Sequence, residues 1–278
     1  MADRYWVGGT GTWDSSTTTH WATSSGGAGG ASAPVAADNV IFDGSSGGGT
    51  VTTDSSIAAV AFGTLTCGAF TGTLTFNNHN TSFATFNGSG TGTRTINMGS
   101  GTMTLTATGA FTSVINFATS TNLTFNKDTS KISFTGVSTS IRLYYFGGLT
   151  YHNIEFAPPS LSTGLIDIGS SLTCTGAFTA SNVTYLNFNQ VTLTTTGSGT
   201  STITGQANSP CLVVSGNGTA TFSLAQADTW NYVHLFNIAE GGAGSLTVNN
   251  SYSSPLSPSG ITVNNPSSGG GSQRVICG

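Results

Sequence analysis

Thr64-Leu65-Thr66-Cys67-Gly68-Ala69-Phe70-Thr71, Thr104-Leu105-Thr106-Ala107-Thr108-Gly109-Ala110-Phe111-Thr112 and Ser171-Leu172-Thr173-Cys174-Thr175-Gly176-Ala177-Phe178-Thr179 are three versions of one phrase. Their leucines stand 40 and 67 residues apart, close to two and three turns of a coil of roughly 20 residues, a spacing in the solenoid range. Strands of a sandwich occupy unlike positions and need not share a sequence, whereas stacked coils set equivalent residues above one another and favour ladders of like side chains. The phrase therefore predicts a parallel β-solenoid, with Leu65, Leu105 and Leu172 in one internal column and Phe70, Phe111 and Phe178 in another. An antiparallel β-sandwich is the runner-up.

Around these phrases run short triplets: Leu74-Thr75-Phe76, Ile96-Asn97-Met98, Ile115-Asn116-Phe117, Leu123-Thr124-Phe125, Ile132-Ser133-Phe134, Ile154-Glu155-Phe156, Leu186-Asn187-Phe188 and Val191-Thr192-Leu193. Side chains alternate across a strand, so the outer two members of each triplet should face inward and the central one should face water. Gly-Ser, Asn-Gly and Gly-Thr-Gly clusters punctuate the triplets and supply tight corners. About 200 residues at about 20 per coil give roughly ten coils, or roughly 50 Å of height. The central residue varies among Thr, Asn, Ser and Glu, so a regular two-residue hydroxyl ladder, of the kind that orders water against ice, is not expected.

The composition narrows the function. Of 278 residues only 6 are Lys or Arg and 10 are Asp or Glu, where roughly 70 charged residues would be usual. With 39 glycines but 37% hydrophobic content, the chain is too apolar for a disordered linker. A net charge of −4 with six cations offers no field for phosphate neutralisation, which argues against nucleic acid as a partner. No apolar run reaches the roughly 18 residues of a membrane helix, so membrane insertion is not expected. Met1-Ala-Asp-Arg-Tyr-Trp lacks the pattern of a secretory signal, which predicts synthesis in a cytoplasm without export. Cys67, Cys174, Cys211 and Cys277 have no metal or disulfide spacing and read as small buried hydrophobes.

Three regions follow. Residues 1–49 carry Trp6, Trp13 and Trp21, whose packing should form a cap over the open end of the core; residues 50–250 form the solenoid; residues 251–278 turn Pro/Gly/Ser-rich and read as loop or linker, with Arg274-Val275-Ile276-Cys277 as a segment that could dock again. Tyr5-Trp6-Val7-Gly8-Gly9-Thr10-Gly11-Thr12-Trp13, His20-Trp21, Gly26-Gly27-Ala28-Gly29-Gly30, Pro34 and Asp38-Asn39-Val40-Ile41-Phe42-Asp43 together resemble the N-terminal module of β-helical phage virion proteins. Similar modules precede parallel β-helices in large bacterial surface proteins. The resemblance covers about a sixth of the chain. It implies a virion structural part, such as a tail fibre, a spike or a capsid decoration, with other virion proteins as partners and a homotrimer as the oligomeric state. The expected architecture is a right-handed parallel β-helix with a tryptophan-rich cap.

Chemistry is sparse. Asp54, Asp128, Glu155, Asp167, Asp228 and Glu240 are the acids between residues 50 and 250, and no two are close in sequence. A glycan-cleaving carboxylate pair is thus not indicated, and a lyase would have only Arg94, Lys127, Lys131 and Arg142 to draw on. Lys127-Asp128 with Lys131 reads as a polar corner. His20, His79, His152 and His234 lack metal spacing, and no phosphate loop or calcium loop is present, so neither metal nor cofactor is expected. Two aromatic clusters rise above this background: Tyr144, Tyr145 and Tyr151, then Trp230, Tyr232 and His234. Core packing is the simpler reading; as surface groups they are candidates for an oligomer interface or a sugar-binding face. The expected role is a non-enzymatic structural protein of the virion. A receptor-binding adhesin recognising a host surface glycan and a glycan-degrading tailspike are the alternatives.

Overall fold

The computed structural model describes residues 1–251 and 260–264. The alternating triplets pack as their pattern requires: Leu74, Phe76, Ile96, Met98, Ile115, Phe117, Ile154, Phe156, Leu186 and Phe188 are all buried. Leu123 and Phe125 are half-buried and lie against the core. The chain is all-β and winds as a parallel solenoid whose coils cross three faces. Among the described residues the only helical turn is Ser55–Ile57, capped by Asp54, whose carboxylate accepts from Ser56 N at 2.9 Å.

Register shows the winding directly. On the first face Phe62, Phe83, Leu105, Phe134, Phe156, Ala180 and Ile203 are successive partners in one inward column. Phe62 stacks on Phe83 with ring centroids 5.5 Å apart, and Phe134 on Phe156 at 4.7 Å. The column then passes through Trp230, Val248 and Val263, making ten levels. At about 4.8 Å between strands this is roughly 43 Å of stacked sheet. Successive partners such as Phe62 and Phe83 or Phe83 and Leu105 are 21 and 22 residues apart, while Leu105 and Phe134 are 29 apart. Coils thus run slightly longer than 20 residues and vary. Antiparallel pairing among the described residues is confined to Asp3–Trp6 with Trp21–Ala22 and one isolated bridge, Gln206 to Ser209, so the sandwich alternative is overturned.

The shared phrase does not mark equivalent positions, contrary to the expectation. Leu65 pairs with Val40 and Phe86, Leu105 with Phe83 and Phe134, and Leu172 with Leu193 on the third face. Phe70 and Phe178 are buried in different surroundings, whereas Phe111 is 71% exposed with φ of 52°. The reason is local. Leu-Thr-x followed by small residues is a good way to leave a strand and turn a corner, and any corner can use it. In the second copy, Thr106 to Ala110 are mostly exposed and lengthen the coil, carrying Phe111 outside. A bulky residue in the left-handed region is strained. Phe111→Gly is therefore expected to leave stability unchanged or raise it by up to about 1 kcal/mol, while Phe70→Ala should cost about 3–5 kcal/mol. Denaturant midpoints of the two variants check this contrast.

The N-terminal residues close one end. Asp3–Trp6 pairs in parallel with Asn39–Ile41, which in turn stacks on Ala61–Thr66. Parallel stacking thus begins inside residues 1–49, and no break separates cap from solenoid at residue 50. The remaining edge of Asp3–Trp6 is covered by the antiparallel strand Trp21–Ala22, which satisfies backbone groups that would otherwise stay open to another chain. Beneath it Trp6, Trp13 and Trp21 are fully buried. Trp13 lies 5.7 Å from Trp21 and 5.3 Å from Phe62, Trp6 lies 5.1 Å from Trp21, and His20 stacks flat on Trp6 at 4.7 Å. The close loop needs glycine: a Cβ on Gly29 would sit 2.1 Å from Thr19 O.

At the other end Ile261–Asn264 stacks in parallel on Ser245–Asn249, so these four residues extend the sheet where loop or linker was expected. The proposed docking segment, Arg274 to Cys277, lies outside the described residues. Inside the solenoid, Cys67, Cys174 and Cys211 are buried free thiols, and burial pushes Cys67 and Cys174 up to about 12.

Candidate functional site

The outward residues of the three faces differ, and the coil register determines how. The first face presents Ser82, Thr104, Ser133, Glu155, Thr179 and Thr202 in one column, continued by Thr229, Thr247 and Thr262. The lower third face carries two columns: Thr50, Thr73, Thr95 and Thr124 beside Thr52, Thr75, Asn97 and Asn126. A regular two-residue ladder of hydroxyls and amides is therefore present here, contrary to the expectation. It escapes a linear reading because its rows are more than 20 residues apart.

The second face is unlike the other two. Leu165, Tyr185, Leu212 and His234 are successive register partners, pointing away from a core lined by Ile166, Leu186, Val213 and Leu235. Leu212 is 36% exposed. Beside them run Leu143, Asp167, Asn187, Val214 and Phe236, with Asn187 Nδ2 donating to Asp167 Oδ1 at 2.8 Å. Tyr145 lies on the same face, its ring occupying the space a Cβ on Gly169 would need. This strip was missed by sequence reasoning, yet it leaves a signal. Leu143-Tyr144, Leu165-Ile166, Tyr185-Leu186 and Leu212-Val213 are adjacent apolar pairs that break the alternation found elsewhere.

The aromatic residues singled out in the sequence divide accordingly. Tyr144, Tyr151 and Trp230 are buried and leave the candidate surface, because a sealed side chain can meet neither a glycan nor a second chain. Tyr144 fills the core between Phe134 and Phe156, at 4.9 and 5.1 Å. Tyr151 donates from its hydroxyl to Phe146 O at 2.9 Å, and burial raises its pKa well above the ordinary phenol value. Trp230 packs 5.0 Å from Phe222 and donates to Ser201 O at 3.2 Å. Tyr145 and His234 share the second face, while Tyr232 sits half-buried at a corner with φ of 54°. The six do not form one site.

Each acid between residues 50 and 250 is engaged by neighbouring groups. Besides Asp54 and Asp167, Asp128 accepts from Gly99 N at 3.1 Å and Glu240 from Gly242 N at 2.8 Å. Glu155 is held by Lys131 Nζ at 2.9 Å and Ser133 Oγ at 2.7 Å. Asp228 points into the core and accepts from Ser201 N and Oγ at 2.7 and 2.6 Å, burial raising its pKa against these bonds. Glu155 and Asp167 lie on different faces. Arg94 and Arg142 are buried, which removes them from any surface chemistry. Arg94 donates to the carbonyls of Gly92 at 2.8 Å, Gly90 at 3.3 Å and Thr121 at 3.4 Å, and also to Gly88 O. Arg142 donates to Gly136 O at 2.7 Å and Ser162 Oγ at 3.2 Å. Among the described residues no cluster of His, Cys, Asp and Glu has the arrangement of a metal site, and no helix is long and apolar enough to cross a membrane.

No protein-family profile matches this chain, and neither a curated protein nor a solved structure matches it significantly.

Proposed function

We propose that the chain is a non-catalytic structural element on the surface of a bacteriophage particle, forming a fibre, spike or capsid decoration, and that copies associate through the second face. The observation that carries this reading is the contrast between faces. Two are lined by uncharged hydroxyl and amide groups suited to water, while the third carries the apolar column Leu165, Tyr185 and Leu212. Parallel copies around a common axis bring equivalent levels to the same height, so each apolar row meets its own counterpart. The resemblance of residues 1–43 to phage modules supplies the particle. The engaged acids and the two buried arginines support a mechanical role, in which a hydrogen-bonded stack resists bending, salt and proteases.

Sedimentation of the purified protein should give about three times the chain mass of 28.0 kDa. Leu212→Glu with Tyr185→Glu should reduce it to one chain mass without lowering the melting temperature, since neither side chain belongs to the core. A single-chain mass for the unaltered protein would overturn the association. Gold-labelled antibody should decorate intact particles; labelling absent from particles would overturn the virion assignment.

A further inference from the structure

The third face is interrupted once. Its lower five strands end at Leu123–Asn126 and its upper five begin at Thr150–Tyr151, and the two sheets are not joined. The cause lies in the turn before Thr150. Gly147 and Gly148 adopt φ of 70° and 68°, and a Cβ on Gly147 would sit 2.3 Å from Phe117 O. The chain therefore reaches this face late, leaving a two-residue strand that pairs only upward with Leu172–Cys174. The missing stretch of sheet leaves an open notch of about 630 Å³ lined by Asn97, Phe125, Asn126, Lys127, Asp128 and Thr150.

These lining groups are held in place. Asn126 Nδ2 donates to Asn97 Oδ1 at 2.7 Å, and Asn97 Nδ2 donates to Thr75 Oγ1 at 3.0 Å. Phe125 is half-buried, fixed by Tyr151 at 5.1 Å and Phe117 at 5.7 Å. The Lys127 carbonyl accepts from Ser130 N and Oγ at 3.1 and 2.7 Å, which fixes the turn. Charge is concentrated here as well. Lys127 and Lys131 are the only two lysines of the chain, and Asp128 and Glu155 accompany them. Lys127 also lies close enough to His152 to lower its pKa, together with burial as the larger cause.

An apolar ring, two oriented amides, a carboxylate, an ammonium and a hydroxyl in one concavity form a set suited to a polyol. Sugar hydroxyls both donate and accept, and the weakly polar face of a pyranose packs on an aromatic ring. Lys127 and Asp128 offset each other, so the notch carries no net charge to select an ionic ligand. Its volume lies within the usual range for small-ligand sites. We infer that this notch binds a short neutral oligosaccharide, with Phe125 beneath a sugar ring, Asn97, Asn126 and Asp128 on hydroxyls, and Lys127 as a donor. The site is complete within one chain and does not depend on the particle assignment or on association through the second face.

Calorimetric titration of the full chain with maltotriose, cellotriose, mannotriose and chitotriose, and with trigalacturonate as the acidic control, tests the inference. At least one neutral trisaccharide should bind with a Kd of roughly 1 mM or tighter. Lys127→Ala should weaken that binding about tenfold or more. Thr150→Trp, at an exposed position on the rim, should abolish it by filling the notch. Both variants should keep the parent melting temperature, and Leu212→Glu on the second face should bind normally. No binding by any neutral trisaccharide, binding of trigalacturonate alone, or undiminished binding by both notch variants would overturn the inference.

Discussion

Replacing Trp13 with alanine should cost about 3–5 kcal/mol of stability, the range for deleting a large buried aromatic side chain. Trp13 is fully buried where cap meets shaft, touching Trp21, Phe42, Phe62 and Phe83 at centroid distances between 5.3 and 6.2 Å. The cavity would lie beneath the strand pair that closes the sheet edge, so cap failure should also expose backbone and promote association. The indole Nε1 of Trp13 has no hydrogen-bond partner. Trp13→Phe should therefore be much milder than Trp13→Ala, because it loses some packing and also removes a buried orphan donor. Trp6 differs, since its Nε1 donates to Gly9 O at 2.8 Å, and Trp6→Phe should cost more than Trp13→Phe. Thermal unfolding of the three variants, followed with light scattering, checks the order; equal losses for the two phenylalanine variants would contradict it.

Arg94→Ala should be of comparable size, at least about 3 kcal/mol, for an electrostatic reason. The guanidinium is the shared donor for carbonyls of Gly88, Gly90 and Gly92 in one coil and Thr121 in the next. Removing it leaves several acceptors at a tight glycine corner without a partner. Arg94→Lys should rescue little, because an ammonium does not reproduce the planar fork that reaches several carbonyls at once. The damage should be local: protease cleavage between residues 88 and 92 should appear before the distant coils open. Stability of Arg94→Lys equal to that of the parent would contradict the account.

Ile154-Glu155-Phe156 illustrates what a linear reading captures. Alternation within three residues is a local property, so the burial of Ile154 and Phe156 and the outward position of Glu155 were legible without knowing any partner strand. The tryptophan cap was legible for a related reason, since large apolar groups crowded among glycines have few other places to go. What failed was any inference about which residues stand above one another. Phe111 carries the same phrase as Phe70 and Phe178 but follows a longer excursion, and one extended coil moved it from core to solvent. The second-face column was hidden for the complementary reason: Leu165, Tyr185, Leu212 and His234 belong to four coils of unequal length, and only register brings them together. The buried aromatics Tyr144 and Trp230 were misplaced because their polar atoms suggested a surface, whereas neighbouring rings supply most of their contacts.

Pulsed electron spin resonance on nitroxide pairs along the outward threonine column tests the winding most directly. Thr104 and Thr202 are separated by four coil steps, and Thr104 and Thr262 by seven. With labels on the same face, the two mean distances should be about 19 Å and about 34 Å, rising by about 4.8 Å per coil. Distances that do not grow in proportion to the number of coils would contradict the parallel stack on which the cap, the apolar strip and the notch all depend.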